Sequence, residues 1–241
     1  MFDLNTDSEN KKIYSDTNLL KLENCFIYQS NKLILQNVSF KIGKGELVYL
    51  IGKTGSGKTS LFKTLYCDIK LKKGHGEIVG FDLSKISNKD IPKIRRKIGV
   101  IFQDFQLLND RTINENMLFV MRATGWKNKK KMETRLNEVL DAVKMSTKGY
   151  KMPHELSGGE QQRAAIARSL INKPKLILAD EPTGNLDPKT SEEIMELLLN
   201  ISKEGTSILM ISHDKYLIDN FPAKKLYCYN SSIFNSPEII N

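Results

Sequence analysis

The chain has 241 residues, 40% hydrophobic and 27% charged, which fits one large globular domain or two small lobes sharing a substantial core. No apolar run reaches the roughly 18 residues of a membrane-spanning helix, so no stretch is expected to cross a bilayer by itself. A net charge of +9 favours anionic partners, either nucleic acid or an anionic membrane surface, without choosing between them.

Residues 1–18 form a polar extension without the basic start and apolar stretch of a secretory signal, and a cytosolic chain is the expectation. Cys25, Cys67 and Cys228 are odd in number and far apart, a pattern of buried thiols in a reducing compartment rather than of metal or redox work. Leu19–Tyr28 and Leu33–Ile42 read as an antiparallel hairpin, and Leu47–Ile51 as a short buried strand. A glycine loop leads from that strand into a helix over Thr59–Cys67. Past a KKGHG turn, the pattern predicts strands at Glu77–Leu83 and Lys97–Gln103. From Thr112 to about Thr147 the periodicity is helical, broken near Gly125, and suggests a small lobe inserted into a sheet domain. Lys127, Lys129, Lys130 and Lys131 cluster beside Trp126, as a solvated helix start or as a contact for phosphate headgroups. A helix over Ser157–Asn172 follows. Strands at Leu176–Asp180 and Thr206–Ser212 flank a helix over Thr190–Ser202, and a last strand lies in Ala223–Asn230. Short apolar strands alternating with helices indicate an α/β fold.

The segment Gly52-Lys53-Thr54-Gly55-Ser56-Gly57-Lys58-Thr59 fits the spacing G-x-x-x-x-G-K-[ST]. Its glycines let the backbone curl until several N–H groups converge on phosphate oxygens. The helix opening there, which also carries Ser60, turns its positive end to the same anion. Lys58 is placed to neutralise the β- and γ-phosphates of a bound nucleotide, and Thr59 to offer a hydroxyl to Mg²⁺.

Leu176–Pro182 is an apolar strand ending in two carboxylates. Buried parallel strands deliver their carboxyl ends to the ligand crevice. Asp180 is thereby a candidate for Mg²⁺, and Glu181 for orienting or deprotonating an attacking water. Alone, Asp-Glu-Pro describes a turn; beside a phosphate loop in the same chain it describes a hydrolytic site. Ser157 and Glu160 have capping-box spacing around Gly158 and Gly159, another helix start suited to an anion. No metal-ligand spacing joins His75, His154 and His213.

Leu156-Ser-Gly-Gly-Glu-Gln-Gln162 resembles the signature motif of ABC ATPases. The resemblance covers roughly Leu20 to Tyr229. It implies an α/β P-loop NTPase core of ABC type over residues 19–233, with an N-terminal antiparallel β-subdomain. It also implies an inserted α-helical signature subdomain at about 104–172, and leaves a short tail at 234–241. It further implies a head-to-tail homodimer, in which Ser157, Gly158, Gly159 and Glu160 meet the γ-phosphate bound by the other subunit. Gln103 looks like the glutamine that senses Mg²⁺ and the attacking water. Asn185-Leu186-Asp187 resembles the loop that crosses between subunits. His213 resembles the switch histidine at the γ-phosphate, and Tyr28 the aromatic that stacks on adenine.

Within the family, Ile98–Thr112, Asn114–Asn116 and Ala179–Asp187 are similar to the branch that acts in bacterial cell division. Relatives in lipoprotein release and macrolide export share the last of these runs. The cell-division likeness implies an FtsX-like polytopic membrane partner, received over Asp104–Gly125, with Phe105, Leu107, Leu108 and Phe119 as apolar contacts. It also implies a signal passed to cell-wall hydrolases, and a peripheral place on the inner face of the plasma membrane. Two alternatives are an export ATPase with the same catalytic residues and a soluble ABC ATPase acting on nucleic acid. The single nucleotide domain and the lack of a long coiled-coil insertion weigh against the second.

Overall fold

The computed structural model describes residues 18–236, so nearly all of the polar extension and most of the tail lie outside the described residues. Strands β1 (Asn18–Gln29) and β2 (Lys32–Gly43) form the expected hairpin. The buried strand β3 (Leu47–Ile51) then runs through the glycine loop into helix α1 (Lys58–Leu65).

The next region departs from the sequence reading. The KKGHG stretch is no turn; it makes most of β4 (Lys73–Ile78), which pairs with the edge of β1 left free by β2. Val79 and Gly80 take φ values of 45° and 86° and reverse the chain into β5 (Phe81–Asp82), splitting the strand expected over Glu77–Leu83. The result is an antiparallel sheet in the order β2-β1-β4-β5. Helix α2 (Ile91–Lys97) has a single fully buried side chain, Ile94, too thin a signal for periodicity to find. It delays the next strand, β6, to Ile98–Ile101.

Helices α3 (Ile113–Ala123), α4 (Lys129–Ala142) and α5 (Gly158–Leu170) follow before β7 (Leu176–Asp180). Because β6 and β7 are parallel neighbours, these helices form one long crossover that has grown into a lobe. Its helix starts are written locally. The Thr112 hydroxyl accepts from Glu115 N at 3.2 Å while Glu115 Oε2 accepts from Thr112 N at 2.9 Å. Asn128 caps α4 through Lys131 N at 3.0 Å.

Helix α6 (Pro188–Lys203), β8 (Ser207–Ile211), α7 (Lys215–Asn220), β9 (Lys224–Tyr229) and β10 (Ser232–Phe234) complete the chain. The second sheet runs β10-β9-β3-β8-β7-β6, parallel except for β10 at its edge. Alternation along its strands separates two cores. Leu47, Tyr49, Ile177, Ala179, Ile208 and Met210 face the inserted lobe, packing with Met117, Met121, Leu136 and Val139. Val48, Leu50, Leu176, Leu178, Leu209 and Ile211 face the antiparallel sheet, with Leu20, Ile27, Leu35 and Phe62. A sheet covered on both faces explains why its strands are unbroken apolar runs.

Candidate nucleotide-binding and hydrolytic site

Leu50 on β3, Ile211 on β8 and Asp180 on β7 stand in one row across the parallel sheet, and Ile101 on β6 pairs with Ala179 beside them. Within two residues of that row the strands release Gly52, His213, Glu181 and Gln103. Four sequence-distant candidates are thus brought to one edge of the sheet, at the carboxyl ends of parallel strands.

The loop Gly52–Gly57 ends in Gly57 at φ 108°, a left-handed conformation open to glycine, and this residue starts α1 with no side-chain cap. The first N–H groups of α1 therefore point into the loop without a capping oxygen, ready for an anion. Lys58 is 8% exposed, and its ammonium donates to Gly52 O at 2.7 Å and Lys53 O at 3.0 Å. A positive charge already occupies the mouth of the loop. Thr59 is exposed, whereas Ser60 turns inward and its hydroxyl donates to Gln29 Oε1 at 3.4 Å. Ser56 Oγ is buried without a hydrogen-bond partner, and Cys228 Sγ donates to Ser56 O at 3.1 Å. Cys228 supports the loop from behind, a role with no sequence signal because it comes from β9.

Asp180 and Glu181 occupy different environments. Burial, reinforced by the neighbouring Glu181 charge and partly offset by Lys58, raises the Asp180 pKa above the ordinary carboxylate range. Glu181 sits at φ 46°, a left-handed conformation that costs a non-glycine residue about 1–2 kcal/mol. Its N–H donates to Ile211 O at 3.1 Å, and its Oε1 lies 3.1 Å from His213 Nδ1. Pro182 follows directly and is buried.

Gln103 is joined to the loop after Glu181. Gln103 Nε2 donates to Asn185 Oδ1 at 3.3 Å, and Asn185 Nδ2 donates to Gln103 O at 3.1 Å. Two and three residues on, Phe105 and Gln106 both take positive φ, and the Arg168 guanidinium on α5 binds their carbonyl oxygens.

The signature residues have other neighbours. Ser157 Oγ accepts from Glu160 N at 3.3 Å, and Glu160 Oε2 accepts from Ser157 N at 3.0 Å, so the expected capping box is present. Gly159 leans on α6: a Cβ there would lie 2.4 Å from Thr190 Cγ2, and one on Gly158 would meet Leu186 at 3.4 Å. Asp187 caps α6, accepting from Thr190 N at 3.0 Å and Thr190 Oγ1 at 2.6 Å. These hydrogen bonds hold the Asp187 carboxyl below its ordinary range. Tyr28 is half-buried at the end of β1, next to Gln29, with Lys72 Nζ 5.7 Å from its ring centroid.

The Thr59 hydroxyl and the Asp180 carboxylate are hard oxygen donors of the sort that suits Mg²⁺, which takes few protein ligands and completes its shell with water and phosphate. Among the described residues no cluster of three or more His, Cys, Asp or Glu could hold a metal ion by itself.

An ABC transporter family model matches residues 35–184. The chain is 42% identical over 206 residues to a protein of Streptococcus pneumoniae serotype 2 (strain D39 / NCTC 7466) named Cell division ATP-binding protein FtsE, covering 86% of this chain and 89% of that one. A Bacillus subtilis (strain 168) protein of the same name is 44% identical over 192 residues, covering 80% and 84%. Among solved structures, the dimeric post-hydrolysis state of the ATP-binding cassette MJ0796 bound to ADP and Pi is similar, with a TM-score of 0.77 and 33% identity over 89% of this chain and 96% of that one. The chain belongs to the ABC transporter family, as one of its ATP-binding, ATP-hydrolysing cassettes.

Proposed function

We propose that this chain works as a head-to-tail homodimer that hydrolyses ATP with Mg²⁺ and passes the resulting motion to an FtsX-like membrane protein in cell division. The observation that carries the hydrolytic half is the single row that gathers Gly52, Asp180, Glu181, His213 and Gln103 at one sheet edge, with the Lys58 ammonium bound to Gly52 O.

Triphosphate binding draws Lys58 from the Gly52 and Lys53 carbonyls to the β- and γ-phosphates, while backbone N–H groups of the loop and of α1 take the remaining oxygens. Tyr28 stacks on adenine. Thr59, Asp180 and Gln103 would hold Mg²⁺, which would neutralise phosphate charge when bound. Glu181 accepts the proton of the attacking water, and His213 fixes the direction of that carboxylate through its 3.1 Å contact. Ser157, Gly158, Gly159 and Glu160 of each subunit close over the nucleotide held by the other.

The coupling half rests on the cell-division names of the relatives and on the segment after Gln103. That segment is fixed by Asn116, whose amide accepts from Leu108 N at 2.8 Å and donates to Leu108 O, Arg111 O and Thr112 O at 3.0, 3.3 and 3.0 Å. On α3, Phe119 is 47% exposed under the Arg111 guanidinium, an apolar contact for a cytoplasmic element of the partner. Cell-wall hydrolases would receive the signal indirectly. No helix among the described residues is long and apolar enough to cross a membrane, and a peripheral place on the inner face of the plasma membrane suits that arrangement.

Two measurements test the proposal. Glu181→Gln should retain ATP and trap a dimer while losing at least about a hundredfold in turnover; undiminished hydrolysis rules out Glu181 as base. Purification from the native host in mild detergent should recover an FtsX-like permease. A lipoprotein-release or efflux permease would replace the physiological reading and leave the chemistry intact, and salt-sensitive nucleic-acid binding in its place would favour the soluble alternative.

A further inference from the structure

The signature helix carries an electrostatic contradiction. Its first turn is where the proposed dimer places the partner's phosphate, yet its third residue, Glu160, is an anion. A carboxylate at that position neutralises the helix's positive end and repels a second anion. Only part of its charge is absorbed by capping, since Oε2 takes Ser157 N while Oε1 remains. Lys148 supplies what is missing: its ammonium is ion-paired with Glu160 Oε1.

Lys148 is no loose surface lysine. It lies in the turn between α4 and α5, closed by Lys148 N to Met145 O at 2.9 Å and Lys151 N to Lys148 O at 3.1 Å. The same turn is stitched to the start of α3, where Ile113 N donates to Lys151 O at 2.9 Å and Asn114 N to Gly149 O at 2.8 Å. Gly149 is packed so tightly there that a Cβ would lie 2.1 Å from Asn114 Oδ1. The ammonium is thus delivered to Glu160 by a fixed piece of backbone that also contacts the helix proposed to meet the membrane partner.

We infer that Lys148 is a positioning residue for ATP-driven dimer closure: it cancels the Glu160 charge so that the capping box can stay while the amides of Gly158 and Gly159 receive the partner subunit's γ-phosphate. Both amides lie in the first turn, where no carbonyl four residues back belongs to the helix, so they are available to an anion. The neutral Lys148–Glu160 pair keeps the cap and removes the repulsion. The inference rests on the head-to-tail dimer proposed above.

The test uses the full chain carrying Glu181→Gln, with dimer formation followed by sedimentation velocity against ATP concentration. Removing a charge beside a helix start changes anion affinity by about threefold to tenfold. Two such sites close in one dimer, so Lys148→Ala should weaken ATP-driven dimerisation by about tenfold to a hundredfold. Lys148→Arg should match the parent. Adding Glu160→Gln to Lys148→Ala should restore dimerisation to within about threefold, because the repelling charge is then gone while a glutamine can still cap. A purely structural Lys148 predicts the opposite: the second substitution would leave dimerisation lost. Indifference to Lys148→Ala, or failure of Glu160→Gln to rescue it, overturns the inference alone. A parent that does not dimerise with ATP overturns the dimer reading and this one with it.

Discussion

Gln103 and Asn185 hold each other by two hydrogen bonds, side chain to side chain at 3.3 Å and Asn185 side chain to Gln103 backbone at 3.1 Å. The bonds join the end of β6 to the loop that follows Glu181, across 82 residues of sequence. Anything that moves the lobe inserted after Gln103 therefore moves the neighbourhood of Glu181. Asn185→Ala should cut kcat about tenfold while KM for ATP stays within about threefold, since no phosphate contact is lost. Gln103→Ala also removes a proposed metal-side contact and should cost more. The double variant should lose less than the two single losses combined, because the Gln103 Nε2–Asn185 Oδ1 bond is common to both, while the Asn185 bond to the Gln103 backbone survives Gln103→Ala. Additive losses in steady-state kinetics would separate the two residues.

Asp180 gives a stability prediction with a defined sign. Burial and the Glu181 charge raise its folded pKa, so the folded protein binds that proton more tightly than the unfolded chain. At neutral pH the ionised carboxylate consequently opposes folding, and the penalty fades as pH falls through the folded pKa. Asp180→Asn should raise the Tm of the nucleotide-free protein at neutral pH while removing activity. The advantage should shrink as the melt is repeated at lower pH. An unchanged or lower Tm at neutral pH would show that the carboxylate is stabilised in the fold.

Much of this site was legible because its parts are local. The Gly52–Thr59 spacing, the apolar run ending in Asp180-Glu181 and the Ser157–Glu160 capping box each lie within a few residues, and each behaves as local chemistry dictates. What escaped the sequence is long-range. Cys228 behind the phosphate loop and Lys148 beside Glu160 have no motif, since a strand and a turn from elsewhere bring them in. The reversal at Val79-Gly80 was hidden because valine rarely takes positive φ, and a run such as Glu77–Leu83 reads as one strand by composition. The extent of KKGHG as strand was set by the free edge of β1, information that resides in pairing.

The exposed ring of Phe119 separates the membrane-partner role from catalysis. It stands on α3 beneath Arg111 and is not among the residues proposed to bind or hydrolyse ATP. Phe119→Asp places a charge on that face and should abolish co-purification of the membrane partner. ATPase activity of the isolated chain should remain within about twofold, as for other surface substitutions. Retained co-purification would move the docking surface elsewhere on the lobe.

Gly159 and Thr190 offer the most specific structural test of the signature motif. A Cβ on Gly159 would lie 2.4 Å from Thr190 Cγ2, closer than two carbons can approach. Gly159→Ala must therefore push α5 from α6 or turn Thr190, and Thr190 is held by its 2.6 Å hydrogen bond to Asp187. Overpacking of this kind costs about 1–3 kcal/mol, or roughly 2–12 °C in Tm for a chain of this size. Thr190→Ser removes the clashing methyl and keeps the hydroxyl that binds Asp187. In the Gly159→Ala background it should recover most of the lost Tm. If the methyl clash is the whole defect, ATP-driven dimerisation should return with it. A Tm that recovers while dimerisation does not would locate the second requirement at the nucleotide, where the added methyl group itself stands in the path of the partner's phosphate.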